Sequence, residues 1–239
     1  MKKVVLVVPV YNEESLLEDS IVQLYEFFKK NVKYDWKIVI ADNASIDKTR
    51  EISERLSKKF KRVELVYVDK KGRGIALRTA WQNYSADAYG YCDADLATDL
   101  SFISDLFKEI IEEKNNLTIG NRYLKSSNAE RNPDRLFYSK IFNLIVRLLF
   151  KSKITDFQCG FKAIDRKTLE KVVPLIEDDH WFFDSELLIL AERENYSIKQ
   201  IPITWKEMRK KHSRVKVIKD SVYFLSKIIL LRYKLWKRS

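Results

Sequence analysis

The apolar positions of this chain fall into short unbroken runs separated by longer segments with a 3.6-residue period. Residues 3–10 (KVVLVVPV) form a continuous apolar run, as expected of a strand buried on both faces. Residues 36–41 (WKIVIA), 63–68, 88–92 and 117–120 predict four more strands. Between them, residues 13–30, 45–60, 74–84 and 99–114 have helical periodicity, with Ser45 and Asp47 as cap candidates for the second helix. Strand and helix alternating at this spacing predict an α/β fold, a mainly parallel sheet covered by helices on both faces. No linker, repeat or low-complexity stretch appears, so one domain is expected.

The second half changes character. Residues 136–150 (LFYSKIFNLIVRLLF) predict a very apolar helix whose Ser139, Lys140, Asn143, Arg147 and Lys151 fall on one narrow stripe. So wide an apolar face suits a core or a membrane surface. Residues 183–195 predict a helix and 198–205 a strand. Residues 215–236 predict a last helix, basic on its polar side and aromatic elsewhere. Two amphipathic helices of this kind suggest a protein lying on a bilayer.

Charge sharpens that reading. Of the formal +11, residues 205–239 carry +10, with 12 Lys/Arg against 2 Asp/Glu. A neutral body with a basic end suits an anionic membrane, an acidic ligand or nucleic acid. The longest stretch free of charged residues is nine residues, 4–12. A membrane-crossing helix needs about 20 apolar residues, so no span is expected, nor a cleavable leader. With 239 residues, the chain needs no disulfide or metal staple to build a core. Its two cysteines, Cys92 and Cys159, favour a reducing compartment and packed thiols. His180 and His212 are expected to be bystanders, and Glu177-Asp178-Asp179 a solvated turn.

Candidate chemistry gathers after the predicted strands. Asp93-Ala94-Asp95 follows the fourth. In an open parallel sheet, ligands bind at the carboxyl ends of the strands. Two carboxylates there suit Mg²⁺ or Mn²⁺, hard ions that prefer oxygen ligands and bridge phosphates. Pro9-Val10-Tyr11-Asn12-Glu13 follows the first strand and Asp42-Asn43-Ala44-Ser45 the second. Lys70-Lys71-Gly72-Arg73-Gly74 combines cations, glycines and a helix start, a setting for phosphate. Neither a Walker loop nor GxGxxG occurs.

These segments (PVYNEE, ADNASIDKT, KGRGIALRTAW and DADLATD) together resemble the motifs of family-2 glycosyltransferases with the GT-A fold, over nearly the whole chain. GNRYL, RNPDRLFYSKIFNLIVRLLF, TDFQCGFKAIDR, WFFDSELLILA and IPITWKE resemble the dolichyl-phosphate glucosyltransferase and mannosyltransferase group. DFQCGFK, FDSELL and Ala97, two residues past the second aspartate, look closer to its glucosyl branch. The loop 208–214 (MRKKHSR) is more basic than its glucosyl counterpart.

The resemblance implies a GT-A, Rossmann-like domain over residues 1–212, with residues 213–239 as a membrane-facing helix of the same domain. It implies a nucleotide-sugar site at Pro9, Val10, Tyr11, Glu13, Asp42, Arg73, Asp93, Ala94 and Asp95, with Asp95 and Asp93 holding Mg²⁺ or Mn²⁺. Asp93, Asp95 and Arg122 would be catalytic, and Arg122, Arg135 and Ser139 would meet the acceptor phosphate. The residues Arg135 and Ser139 are four apart, hence on one helix face. The implied reaction is inverting transfer of a hexose, with UDP-glucose the favoured donor, to a polyprenyl (dolichyl-type) phosphate. It would run at the cytoplasmic surface of a membrane, by a peripheral protein. Asp184 and Glu186 are weaker candidates for orienting the sugar or acceptor. A GDP-mannose-dependent mannosyltransferase stays open, as does another family-2 transferase of glycan assembly. A sugar nucleotidyltransferase would need a glycine-rich N-terminal loop that is absent. A nucleic-acid binder would explain only the basic tail, so no nucleic-acid partner is expected.

Overall fold

The computed structural model describes residues 1–208 and 217–237, with the first five residues of the second segment described by their backbone alone. The loop 208–214, apart from Met208, and with it His212, lies outside the described residues.

Nine strands run in chain order: β1 (Lys3–Val10), β2 (Asp35–Asn43), β3 (Val63–Val68), β4 (Ala88–Cys92), β5 (Leu117–Asn121), β6 (Asn128–Glu130), β7 (Phe161–Asp165), β8 (Ile198–Pro202) and β9 (Thr204–Lys206). The helices are α1 (Leu17–Asn31), α2 (Thr49–Lys59), α3 (Arg73–Gln82), α4 (Phe102–Ile111), α5 (Pro133–Phe150), α6 (Arg166–Lys171), α7 (Phe183–Arg193) and α8 (Val217–Lys237). Seven strands form one sheet in the order β3-β2-β1-β4-β7-β5-β8, and β6 pairs with β9 in a separate ribbon. This is the mainly parallel α/β sheet of a GT-A-like fold.

Alternation along the buried strands divides the core. In β1, Val4, Leu6, Val8 and Val10 pack on one face with α1 and α4. Val5 and Val7 point to the other, with Trp81 of α3 and Phe183 of α7. Strand order reverses between β1 and β4, so a crevice opens at their carboxyl ends.

The sheet is mainly parallel, as expected, and β7, a strand the sequence reading did not predict, runs antiparallel between β4 and β5. Its Lys162 breaks the apolar run that marks its neighbours, which hides the strand in the sequence. The predicted strand 198–205 is two strands in different sheets, β8 and β9, separated at Ile203. The acidic turn is solvated only in part. Asp178 is buried, accepts the backbone N–H groups of His180 and Phe182, and meets Tyr223 Oη at 2.6 Å and Lys227 Nζ at 2.8 Å. Glu177 pairs with Lys234. The acidic turn is therefore the clamp that holds α8.

Helix α5 starts on an Asn132 cap with Pro133 in its first turn, and ends on Lys151 in the left-handed conformation. It sits nearly inside out. Asn143, from its polar stripe, is buried and accepts the Phe157 N–H at 3.0 Å. Phe137, Ile141, Leu144 and Leu148 point outward, Leu148 with 71% of its surface exposed. Helix α8 packs beside it through Phe224, which touches Phe142 and Phe182, and buries Ile228, Leu231 and Leu235. Its opposite face exposes Val222, Leu225, Ile229, Tyr233 and Trp236. Among the described residues no helix is long and apolar enough to cross a membrane.

Burial alone would raise the Asp178 carboxyl. The hydrogen bonds from Lys227, Tyr223 and His180 outweigh it and hold the group below the usual range. Its contribution is therefore present above the unfolded pKa of about 3.9 and lost as pH falls through the lower folded value. Asp178→Asn should destabilise the fold by about 2 kcal/mol at neutral pH, read as a lower urea midpoint, and should flatten the acid limb of the stability curve.

Candidate active site

Four loops meet at the carboxyl edge of the sheet, after β1, β2, β4 and β5. Asn12, Ala44 and Leu96, one in each of the first three, take positive φ without being glycine. The other residues of this kind, Lys114, Lys151 and Asn195, follow α4, α5 and α7, where left-handed geometry ends a helix. Backbone held in this way at a strand exit marks a shaped site.

The β1 and β2 loops are sewn together. Asn43 Nδ2 donates to the Val10 carbonyl at 2.6 Å, and its Oδ1 accepts the Gly72 N–H at 3.1 Å. Ser45 Oγ accepts the Asn12 N–H, and Thr49 Oγ1 accepts that of Glu13. Val10 and Glu13 are buried, while Pro9 and Tyr11 line the edge with Lys71 Nζ 3.9 Å above the Tyr11 ring. Asp42 is fully buried. Its Oδ1 accepts the Ser45 N–H, whereas its Oδ2 is buried with no partner. An orphaned carboxylate oxygen costs a few kcal/mol and is a ready acceptor for a ligand N–H or O–H.

Across the crevice, Asp93 leaves β4 opposite the start of β7. Its N–H donates to the Gly160 carbonyl at 3.1 Å. A Cβ at Gly160 would lie 1.8 Å from Asp93 Oδ2, so only glycine lets the carboxylate lie there. Arg73 Nη2 stands 2.8 Å from Asp93 Oδ1, and its Nη1 stands 3.4 Å from Asp184 Oδ2. The other Asp184 oxygen meets Lys162 Nζ at 2.8 Å and accepts the Tyr91 hydroxyl. Lys162, Asp184, Arg73 and Asp93 thus form a chain of alternating charge, three of its four side chains at most 9% exposed. Burial would raise the Asp184 carboxyl, but Lys162 and Arg73 hold it below the usual range. Asp184 is therefore a buried anion beside Arg73 and Lys162. Glu186 is spent on the Asp178 N–H, and burial raises its carboxyl.

The glycines of the Lys70–Gly74 loop have a packing role. A Cβ at Gly72 would lie 2.4 Å from the Asp179 carbonyl, and one at Gly74 would lie 2.7 Å from the Asp178 carbonyl and from Phe183. Asp179 O also accepts the Ile75 N–H. The glycines admit the protein's own backbone at the start of α3, and the Arg73 side chain is what faces the site.

Asp95 Oδ1 accepts the Ala97 N–H at 3.3 Å. No group of three or more His, Cys, Asp or Glu gathers among the described residues. The protein would offer a divalent cation the carboxylates of Asp93 and Asp95, with Ala94 buried between them. That donor set fits Mg²⁺ or Mn²⁺, which keep waters and take phosphate oxygens as further ligands. Cys92 and Cys159 are free and buried, and burial pushes the Cys159 thiol up to about 12, which leaves it inert.

On the β5 side, Arg122 is locked. Its Nε and Nη2 each meet Asp156 at 2.7 Å in a bidentate, buried pair. Arg135 pairs with Glu207, so it and Ser139 point to different partners although they share a helix face. Ser139 Oγ lies 2.6 Å from the Tyr123 hydroxyl, which accepts from Arg131 Nη1 at 2.6 Å. Trp205 packs 5.4 Å from both Arg122 and Arg131. Arg131, Tyr123, Asn43, Gly160 and Lys162 all lie in motifs that the sequence offers, but the sequence assigns none of them a role.

The sequence pattern described as Glycosyl transferase family 2 matches residues 5–173. The chain is 30% identical over 238 residues to "Glycosyltransferase AglD" of Haloferax volcanii, covering 99% of this chain but only 38% of that protein. It is 30% identical over 256 residues to a dolichyl-phosphate beta-glucosyltransferase of Dictyostelium discoideum, covering 97% of this chain and 76% of the relative. Among solved structures, glucosyl-3-phosphoglycerate synthase from Mycobacterium tuberculosis, in complex with Mn²⁺, UDP and phosphoglyceric acid, superposes with a TM-score of 0.71 at 15% identity, over 97% of this chain and 78% of that one. At that identity the likeness concerns the fold.

Gly160→Ala should leave the fold intact, yet displace Asp93 and weaken metal-dependent UDP binding by about tenfold or more. Calorimetry with and without Mn²⁺ reads this, and unchanged metal dependence would refute the positioning role.

Proposed function

This chain belongs to glycosyl transferase family 2, and from that membership we propose that it transfers glucose from UDP-glucose to a polyprenyl (dolichyl-type) phosphate, with inversion at C1. The named activity of the dolichyl-phosphate beta-glucosyltransferase relative supports the acceptor and the sugar. One observation carries the reading: two differently built sides, one with a free acceptor and a cation and the other cationic and apolar, flank Asp93 and Asp95. On one side are the unpartnered Asp42 oxygen and Arg73. On the other, a cluster of arginines and hydroxyls runs into the outward apolar stripe of α5. The first suits a nucleotide diphosphate, and the second suits an anion carried on a hydrocarbon.

In the proposed step, an acceptor phosphate oxygen attacks C1 from the face opposite the diphosphate. The C1–O bond to the acceptor forms as the C1–O bond to the β-phosphate breaks, and the electron pair leaves with UDP. The attacking oxygen is already an anion, so no general base is required. In keeping with this, one Asp184 oxygen is taken by Lys162 and Tyr91, and the other stands 3.4 Å from Arg73. A Mg²⁺ or Mn²⁺ held by Asp93 and Asp95 supplies positive charge against the leaving diphosphate when bound. Arg73, beside Asp184, adds charge at the same place. Pro9, Val10, Tyr11, Glu13, Asp42 and Ala94 shape the nucleotide side, and Arg122, Arg135 and Ser139 the acceptor side.

The protein works from a membrane surface on this reading, peripherally and on the cytoplasmic face. The exposed faces of α5 and α8 are apolar, and Lys140 and Arg147 flank the α5 stripe. Each cation near an anionic surface contributes about 1 kcal/mol, and the apolar side chains add insertion energy.

A donor panel with Mg²⁺ or Mn²⁺ and a short polyprenyl phosphate, read by product mass, tests the reaction. Hexose addition should come from UDP-glucose rather than GDP-mannose, and Asp95→Ala should abolish it. Near-normal turnover of that variant would sink the assignment, and a preference for GDP-mannose would move the donor. The membrane reading has its own test. Changing Ile141, Leu144 and Leu148 together to Ser should release the protein from anionic liposomes in flotation while UDP affinity holds within about twofold.

A further inference from the structure

Arg73 reaches the nucleotide side from the first residue of α3, and the start of that helix has no side-chain cap. The first N–H groups of a helix lack acceptors of their own. Here the loop 176–181 serves that helix end. The Asp179 carbonyl accepts the Ile75 N–H at 3.1 Å and lies where a Cβ at Gly72 would be 2.4 Å away. The Asp178 carbonyl abuts Gly74, where a Cβ would be 2.7 Å away. Further along α3, Arg78 donates to the Ile176 carbonyl at 2.8 Å and pairs with the Asp179 carboxylate. Trp181, from the same loop, has its ring 5.2 Å from the Arg73 guanidinium. Backbone thus rests directly on backbone, and a shift of this loop passes to Gly72, Arg73 and Gly74.

The loop in turn hangs on one carboxylate. Asp178 is 1% exposed. One of its oxygens accepts the N–H groups of His180 at 2.8 Å and Phe182 at 3.1 Å, which folds the loop back on itself. The other takes the Tyr223 hydroxyl at 2.6 Å and Lys227 Nζ at 2.8 Å, both from α8. Those two residues are four apart, on one face of that helix. Val222, Leu225 and Ile229 of the same helix are exposed. Without its α8 donors, a buried carboxylate oxygen loses a charge-assisted pair of bonds and the loop must move to let water reach it.

We propose that Asp178 is a positioning residue for the nucleotide side: by fastening the loop 176–181 to α8, it sets where α3 begins and hence where Arg73 stands beside Asp93. Helix α8, whose outer face is the bilayer contact on the reading above, is through this carboxylate also part of the support of the donor site. A misplacement of about 1 Å in a positioned group can cost about a hundredfold in rate, so a support this far from the reacting atoms still matters. The proposal rests on the reading of Arg73 and Asp93 as the diphosphate side.

The test uses the full chain, without membranes. Tyr223→Phe and Lys227→Met, made singly and together, remove the α8 donors and leave Asp178 and Arg73 in place. In the double variant, Mn²⁺-dependent UDP affinity by calorimetry should fall about fivefold or more. Hydrogen exchange of the Ile75 amide, which needs no ligand, should speed up in parallel. Lys227→Arg should keep most of the affinity. The control for plain loss of stability is Leu56→Ala, a buried residue late in α2 on the other face of the sheet. It should lower the urea midpoint at least as much as the double variant, yet hold UDP affinity within about twofold and leave Ile75 exchange unchanged. UDP affinity of the double variant within about twofold of wild type would overturn the proposal. Unchanged Ile75 exchange in the double variant would do the same, as would an equal loss of affinity in Leu56→Ala. If wild type binds no UDP but the double variant alone exposes the Ile75 amide, the donor reading falls and the fastening of α3 by Asp178 stands.

Discussion

The chain of alternating charges from Lys162 through Asp184 and Arg73 to Asp93 is the constraint around which the site is arranged. Taking one ion out of water costs several kcal/mol, and only close partners of opposite sign offset it. Lys162 and Asp184 are fully buried, and Lys162 Nζ also donates to the Phe157 carbonyl at 3.1 Å. Removing either would strand a charge beneath the sheet edge. The chain also accounts for the direction of β7. Because that strand is antiparallel, its first residue pairs Phe161 with Cys92, next to Asp93. A parallel strand would start at the far edge and carry Gly160 and Lys162 away from the crevice.

Much of the fold was legible because its signals are local. The first strand and those at 63–68 and 88–92 coincide with the observed bounds, since strands buried on both faces read as unbroken apolar runs. Helix starts in the first half were placed within about four residues, the usual spread of such boundaries. Strand β7 was missed for a nonlocal reason: its lysine makes sense only with Asp184, 22 residues later. The site divides in the same way. Asp93 and Asp95 could be found by their place after a strand. Arg122 could be found as well, but not its bidentate partner Asp156, 34 residues away. Asn43 lies in a motif, but its work of joining the carbonyl of one loop to the N–H of another cannot be read there.

The run TDFQCGFK illustrates how a recognisable motif hides its mechanics. Asp156 fixes Arg122, the Phe157 N–H satisfies Asn143 Oδ1, and Gln158 donates to Ser185 Oγ at 2.6 Å. Cys159 lends its carbonyl to Lys162, and Gly160 makes room for Asp93. Consecutive residues thus tie the β5 loop, α5, α7 and β4 into one frame. Helix α5 turns its apolar side outward while this frame gives Asn143 Oδ1, on its inner side, a backbone donor.

Electrostatics then separates what holds the molecule together from what remains for partners. The last 35 residues carry +10, but that figure overstates the field available to a membrane. Lys227 and Lys234 are spent on Asp178 and Glu177, and Lys206 on Glu130. On the proposed reading, two anionic substrates must also be brought together. At an effective dielectric of about 20, two unit charges about 6 Å apart repel by roughly 3 kcal/mol. The protein meets this with cations on both sides of Asp93 and Asp95, Arg73 on one and the Arg122–Arg131 pair on the other. The backbone bonds from Ala97 and Asp99 to β9 hold the second set at a fixed distance from the first. Substrate repulsion is therefore offset by a rigid arrangement, and the basic surface of the tail need not contribute to it.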